Sequence, residues 1–477
     1  MHIPKSNVNR DYHDQGIPTD RRYAIIGAGA SGLCTAKYLK ENGAKEITIF
    51  EIGTQIGGLW AYMNDSGLSS AYSTLYINTP RNQTEFEDFP FSDDVPLFPH
   101  HSDMYSYLNR YAEHFNITPH IKFNSKVNAV RPMSGGIWEI TLEGGHKELF
   151  DRVIVASGHL HQPLHIKQLQ ENFSGDYLHS HYYREPSTYV GKRICVVGAG
   201  NSAFDICADV CMTSKRTVLV ARSPAIIHPK LIFGRPYRDV TVMFERWWIP
   251  EFLRKKIVNF LVLMIHGDMG KLGFKKATQR IHNTSNGTLA IHLAYRRVTV
   301  KHNIEKIEIN TLYFSDGTHE TFDVVIAASG YLIHLPFIDE KILPIVDNSI
   351  DLYKRIVCPN YSGLYFIGFI NTSTGLPYAF ERQIQWLIPF ERGEALLPNV
   401  EHMRSDIEAK TKWLKKLFHY TSRVTLEEPH VFYFAQLNKS LAEGQLRKLR
   451  DSGQHWWLIL KAHLKVLLSP KTINVSR

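Results

Sequence analysis

A strand that runs into a glycine loop and then a helix suits a phosphate group. Backbone N–H groups at a helix start can face an anion only where no side chain blocks the approach. The chain carries two such units. The first, YAIIGAGASGLCTAKYLKENGAKEITIFE, begins at Tyr23. An apolar strand over residues 23–26 meets Gly27, Gly29 and Gly32, with Ser31 in the loop, and a later strand over residues 47–50 ends in Glu51. Glu51 lies 19 residues past Gly32, where an acid accepting a ribose hydroxyl is expected. The second unit, RICVVGAGNSAFDICADVCMTSKRTVLVARS, places Gly198, Gly200, Asn201, Ser202 and Ala203 after a strand over residues 194–197. Its next strand ends in Arg222 and Ser223, with Arg216 nearby. A carboxylate there would repel a 2′-phosphate, whereas a guanidinium grips it bidentately, so the second nucleotide is expected to be NADPH and not NADH. Asp205 and Asp209 on the following helix read as ordinary helix-face acids.

Two nucleotide units need two supporting lobes, and the chain of 477 residues, 44% hydrophobic, is long enough to build both. Each unit has an echo downstream, DRVIVASGHLHQP over residues 151–163 and FDVVIAASGYLIHLP over residues 322–336. Each echo is an apolar strand ending where the chain crosses to the other lobe. The fold class expected is α/β, with two Rossmann-like dinucleotide-binding domains, the second inserted into the first. The boundaries expected are 20–164 for the first part of the first dinucleotide-binding domain and 165–330 for the NADPH-binding domain. Residues 331–450 are expected to form the second part of the first dinucleotide-binding domain, and 451–477 a C-terminal amphipathic tail. Residues 225–290 are too long for a plain crossover and are expected to form a helical insertion.

Composition removes several classes. The formal charge of +9 is spread along the chain, and no basic block is interleaved with aromatics, so nucleic acid is not an expected partner. Five cysteines, Cys34, Cys195, Cys207, Cys211 and Cys358, form no CxxC pair, which excludes a disulfide framework and a zinc site and predicts no metal. The free thiols suit a reducing, cytoplasmic compartment. The first twenty residues are polar, so no secretory signal is expected, and no apolar run reaches the length of a spanning helix. IVNFLVLMI (257–265) and WWLILKAHLKVLL (456–468, interrupted by Lys461 and Lys465) leave peripheral membrane contact open.

Further motifs carry a family resemblance. The segment from Phe173 through Gly175 and His179 to Tyr183-Arg184 fits the fingerprint FxGxxxHxxx(F/Y). GGLW (57–60), Asn78-Thr79-Pro80, DFPF (88–91), ASGH (156–159), ASGY (328–331) and LYFIGF (364–369) add to it. Together they span roughly residues 22–390, and the chain resembles the single-component flavin-containing monooxygenases.

The resemblance implies FAD in the first pocket, NADPH in the second, and dioxygen with a small nucleophilic substrate as further partners. It implies a flavin hydroperoxide that passes its distal oxygen to a soft nitrogen or sulfur. Gly58, Leu59 and Trp60 would pass beneath the flavin, although Trp60 also reads as a core residue. Asn78 would turn its amide toward the reacting flavin edge, or be the turn residue that Pro80 suggests. His179 would hold the hinge between domains. Glu381 and Gln383 match an acid and a glutamine of the family's C-terminal helix; Gln383 is expected at the cofactor, with helix-capping or surface roles open for both. With no redox cysteine pair the flavin is the redox centre, and no protein nucleophile is needed. Two alternatives stand beside oxygenation of nitrogen or sulfur. A Baeyer–Villiger monooxygenase would end its fingerprint in Trp-Pro or Trp-Asp, and a non-catalytic nucleotide sensor would consume no oxygen.

Overall fold

The computed structural model describes residues 16–244, 251–276, 281, 284–372, 374–418 and 425–452. Ten strands make two parallel sheets. In chain order they are β1 (Arg22–Ile26), β2 (Glu46–Phe50), β3 (Ile121–Lys122), β4 (Arg152–Val155), β5 (Asp176–His179), β6 (Arg193–Val197), β7 (Arg216–Val220), β8 (Val298–Lys301), β9 (Val324–Ala327) and β10 (Leu364–Phe366). The first sheet has the order β10-β4-β1-β2-β3 and the second β8-β7-β6-β9-β5. The chain thus leaves the first sheet after β4, completes the second, and returns with β10. The fold is α/β, with two Rossmann-type units, one inserted in the other.

Both sheets are covered on two faces, which is why their strands read as unbroken apolar runs. Along β1, Tyr23 and Ile25 pack under helix α1 (Ala30–Glu41) and the helix His101–His114. Ala24 and Ile26 face an antiparallel meander through Trp138, Ile140 and Phe150. The second sheet repeats this: Ile194 and Val196 pack on helix α2 (Asn201–Val210), and Cys195 faces a meander containing Leu312 and Phe314. Cys207 and Cys211 are buried in this packing and free, as are all five cysteines.

The two crossings meet. Gln162–Pro163 pairs antiparallel with Tyr331–Leu332, so a short ribbon joins the lobes. The residues expected to form a helical insertion are in fact mixed. They include helix α3 (Glu251–His266), a hairpin pairing Leu231–Ile232 with Arg235–Pro236, and a parallel pair joining Ile227–His228 to Thr284–Ser285. Strands of two residues are too short to show an alternating pattern, which is why only the helical character is legible in the sequence. Beyond β10 come helices α4 (Leu376–Glu391) and α5 (His430–Asp451). The expected amphipathic tail lies outside the described residues beyond 452.

Candidate active site

The first glycine loop turns at Gly27, whose N–H donates to the carbonyl of Phe50 at 2.8 Å and whose φ is +107°. A Cβ there would sit 2.8 Å from the carbonyl oxygen of Ala156, the first residue of ASGH. On Gly32 a Cβ would stand 1.9 Å from the oxygen of Gly27, so this glycine is required by the protein's own packing. Gly29 differs, because its nearest neighbour would be the Gly58 Cα at 3.8 Å. The protein leaves room for a methyl at Gly29, at the N-cap of α1, where no side chain caps the helix and no acid occupies the first turn. That space and those bare N–H groups suit an anionic diphosphate. Glu51 is buried beside it, accepting from the N–H of Ala28 at 2.8 Å and of Gly53 at 3.0 Å.

GGLW docks on this loop. The N–H of Gly57 donates to Ala28 O at 3.1 Å, and a Cβ on Gly58 would lie 3.2 Å from Gly29 Cα. Leu59 is anchored through its carbonyl by the Ser69 hydroxyl at 2.6 Å, and Trp60 packs half-buried against the first core. Ser31, buried in the first turn of α1, donates to Ala156 O at 3.3 Å and touches the left-handed turn at Gly368, where a Cβ would meet its own Cβ at 3.0 Å. Five chain segments therefore converge on the start of α1.

Asn78 lies in a turn between the Ile77 and Arg81 backbone bonds. Its turn is fixed by Ile77 N–H on Pro99 O (2.8 Å) and Arg81 N–H on Leu97 O (2.9 Å). The helical turn Arg81–Thr84 presses on the start of α4 so closely that a Cβ on Gly375 would lie 1.7 Å from Gln83 O. The Oδ1 of Asn78 is buried with no hydrogen-bond partner, as are Ser157 Oγ and His159 Nδ1. Such orphaned polar atoms are costly unless a ligand satisfies them. Burial pushes His159 down to about 4, so its ring is neutral near pH 7.

The second loop repeats the first, with Gly198 N–H on Val220 O at 3.0 Å and a Cβ that would stand 2.4 Å from Ala328 O. Gly200 caps α2, again with no side-chain cap and no first-turn acid. Asn201 accepts from Ser285 N–H at 3.0 Å, tying α2 to the insertion, while Ser202 is half-buried. Arg222, two residues past the end of β7, is exposed, and among the described residues its guanidinium has no partner. Arg216 does not share that place: it begins β7 at the opposite end and is engaged by Glu320 at 2.8 and 3.0 Å.

Several expectations change. Asp205 and Asp209 are not plain surface acids, since Asp205 accepts from Tyr72 OH (2.9 Å) and Asp209 from Tyr183 OH (2.6 Å) and Thr74 (2.7 Å). They clamp residues 72–74 of the first lobe onto α2. Arg184 completes the clamp by donating to the carbonyls of His181 (2.7 Å), Ser69 (3.1 Å) and Ala71 (3.3 Å). His179 is fully buried at the end of β5, its Nδ1 accepting from His181 N–H at 3.0 Å and its ring against Tyr331. The fingerprint thus works as an interdomain clamp. Gln383, expected at the cofactor, is fully buried with its amide occupied: Oε1 accepts from Gly368 N–H and Nε2 donates to Tyr433 OH, both at 2.9 Å. It fixes the Gly368 turn and has no surface to offer a ligand. Glu381 is buried as well, accepting from Glu87 N–H at 3.0 Å and Tyr38 OH at 3.1 Å, and burial pushes it up to about 7. Among the described residues, no cluster of three metal-ligating side chains occurs, and no helix is long and apolar enough to cross a membrane.

This architecture has known relatives. The flavin-binding monooxygenase-like family model matches residues 20–446. Flavin-containing monooxygenase 5 of Oryctolagus cuniculus is 31% identical over 435 residues, covering 86% of this chain and 81% of that protein. The structure of S-allyl-L-cysteine S-oxygenase from Allium sativum superposes with a TM-score of 0.67 at 24% identity, over 94% of each chain. That of cyclohexanone monooxygenase from Rhodococcus sp. Phi1, bound to NADP+, gives 0.64 at 15% identity, over 89% of this chain and 98% of that one. With two glycine-loop pockets, a clamp built from the fingerprint and a family match over most of its length, the chain belongs to the flavin-binding monooxygenase-like family and is an FAD- and NADPH-dependent oxidoreductase.

Proposed function

We propose that the chain oxygenates soft nitrogen or sulfur nucleophiles, using NADPH and dioxygen. When bound, FAD supplies the redox chemistry that turns dioxygen into an electrophilic oxygen donor. Gly27, Gly29, Ser31, Gly32 and Glu51 hold its diphosphate and ribose, and Gly58, Leu59 and Trp60 line its approach. Gly198, Gly200, Asn201, Ser202 and Arg222 hold NADPH. The observation that carries the reading is the buried Oδ1 of Asn78, which has no hydrogen-bond partner. An amide supplies a donor and an acceptor, exchanged by a half-turn, without delivering a proton. The domain boundaries that fit this division fall at 164/165 and 330/331, beside the ribbon that joins the lobes.

A fingerprint ending in Tyr183-Arg184, and not in Trp-Pro or Trp-Asp, supports heteroatom oxygenation over ketone insertion. The test is product analysis with NADPH across sulfides, tertiary amines and cyclic ketones. Sulfoxides or N-oxides are expected; lactones alone would establish the Baeyer–Villiger alternative.

Arg222 sets the nucleotide preference. Arg222→Ala is expected to weaken NADPH by about 2 kcal/mol, the scale of one charge-assisted contact, with NADH almost unaffected. Steady-state KM values for both nucleotides check this, and equal losses would remove Arg222 from the site.

A membrane surface is the further partner. Helix α3 exposes Leu253, Phe260 and Met264 at i, i+7 and i+11, and Phe233 at the hairpin tip is 92% exposed. A helix of 16 residues is too short to span but can lie in an interface. Phe260→Asp is expected to reduce flotation with phospholipid vesicles; no flotation of the unaltered protein would contradict this partner.

A further inference from the structure

Lys230 takes no part in the sites above, yet it lies where they meet. It follows the strand Ile227–His228, and its backbone carbonyl accepts from Tyr237 N–H at 2.8 Å. Its half-buried side chain runs toward the Asn78 turn, with Nζ 3.5 Å from Ile77 O and 5.2 Å from the centroid of the Phe98 ring. On the other side stands Asp205 of α2, whose carboxylate is already taken by Tyr72 OH at 2.9 Å and Asn286 Nδ2 at 2.6 Å. Burial lowers the basicity of Lys230, opposed by the Asp205 charge. Among the described residues this ammonium, with three donor hydrogens, has a single hydrogen bond, and a long one. A half-buried cation so poorly paired is costly unless an anion or strong acceptor joins it.

The surrounding elements belong to the nucleotide side. His228, two residues earlier, accepts through its carbonyl from Ser285 Oγ and Asn286 N–H, each at 3.2 Å, and Ser285 N–H in turn donates to Asn201 at the start of α2. The insertion thus links the start of α2, through Ser285 and His228, to Lys230 and the Ile77 carbonyl beside Asn78.

We infer that Lys230 is a contact residue for the diphosphate-ribose stretch of the nicotinamide nucleotide, placed between the start of α2 and the Asn78 turn. The inference rests on the reading that the second glycine loop holds NADPH, and it adds a ligand supplied by the insertion. Lys230 would then also hold the carbonyl of Ile77, coupling nucleotide occupancy to the position of the neighbouring Asn78.

The test is NADP+ and NAD+ binding to the FAD-loaded protein, followed by calorimetry at two salt concentrations. Lys230→Met is expected to raise Kd for both nucleotides about tenfold and flatten the salt dependence, with Lys230→Arg recovering most of the loss. The ratio of NADP+ to NAD+ affinity should not change with Lys230→Met, whereas Arg222→Ala should collapse it. A Kd for Lys230→Met within twofold of the unaltered protein would overturn the inference, even if substrate KM rose, because that would assign Lys230 to the substrate. If Lys230→Met does not fold, acetylation of Lys230 in the unaltered protein, read by peptide mass spectrometry, replaces it. NADP+ should protect Lys230, and equal labelling would overturn the inference. Unaltered protein that binds neither nucleotide would instead defeat the reading of the second loop, and this inference with it.

Discussion

Asn78→Leu is expected to leave FAD content and NADPH oxidation largely intact while oxygenated product falls and hydrogen peroxide takes its place. Leucine matches the size of asparagine but removes both polar atoms from a turn where Oδ1 has no protein partner. The loss should be about 2–4 kcal/mol of stabilisation at the reacting oxygen, the scale of deleting one oxyanion-hole donor. The protein itself should hardly notice, since no protein hydrogen bond to Oδ1 is broken. Product yield and peroxide, each per NADPH consumed, measure the effect, with the thermal midpoint as the control for folding. Wild-type coupling in the variant would reduce Asn78 to a turn residue ahead of Pro80.

The largest effect on stability is expected at Glu391, far from the chemistry. This buried carboxylate accepts from Tyr23 OH and Tyr365 OH, both at 2.6 Å, from Arg21 at 2.9 Å and from Arg152 at 3.1 Å. It thereby ties β1, β4 and β10 to the end of α4. Removing it leaves two partly buried guanidinium groups without their counter-ion, so Glu391→Ala should cost about 3–5 kcal/mol. Burial raises the pKa of Glu391, but Arg152, the two tyrosines and Arg21 outweigh burial and hold it below the ordinary value. The sign follows: a depressed carboxyl stabilises the fold at pH above its unfolded value of 4.5, and that stability is lost as pH falls through the folded value. Denaturation at pH 7 and in acid checks both points. An unchanged midpoint in Glu391→Ala would contradict the network.

The parts of the site legible in the sequence are those whose physics is local. Gly27, Gly29 and Gly32 sit within six residues of one another, and strand, loop and helix around them follow from neighbouring residues. Even there the sequence treats the glycines alike, and only the fold separates Gly32, needed for packing, from Gly29, which leaves space. Residues whose roles depend on distant partners were not legible. Asp205 meets Tyr72 across 133 positions, and Gln383 meets Tyr433 across 50, so both helix residues look like ordinary helix-face groups. The spacing of Tyr183-Arg184 identified the fingerprint but not its work as a clamp, which needs Asp209 and the carbonyls of residues 69–71. Lys230 carried no motif at all, because its setting comes from two-residue strands of the insertion.

Isotope-labelled dioxygen decides whether NADPH and dioxygen are spent on oxygenating a soft nucleophile. FAD-loaded enzyme, NADPH and a panel of sulfides and tertiary amines would be incubated under 18O2, and the products weighed by mass spectrometry. At least one sulfoxide or N-oxide carrying a single labelled oxygen is expected, formed in step with NADPH consumption. Products whose oxygen comes from water, or NADPH oxidation that yields only peroxide with every acceptor, would contradict the proposed oxygenation.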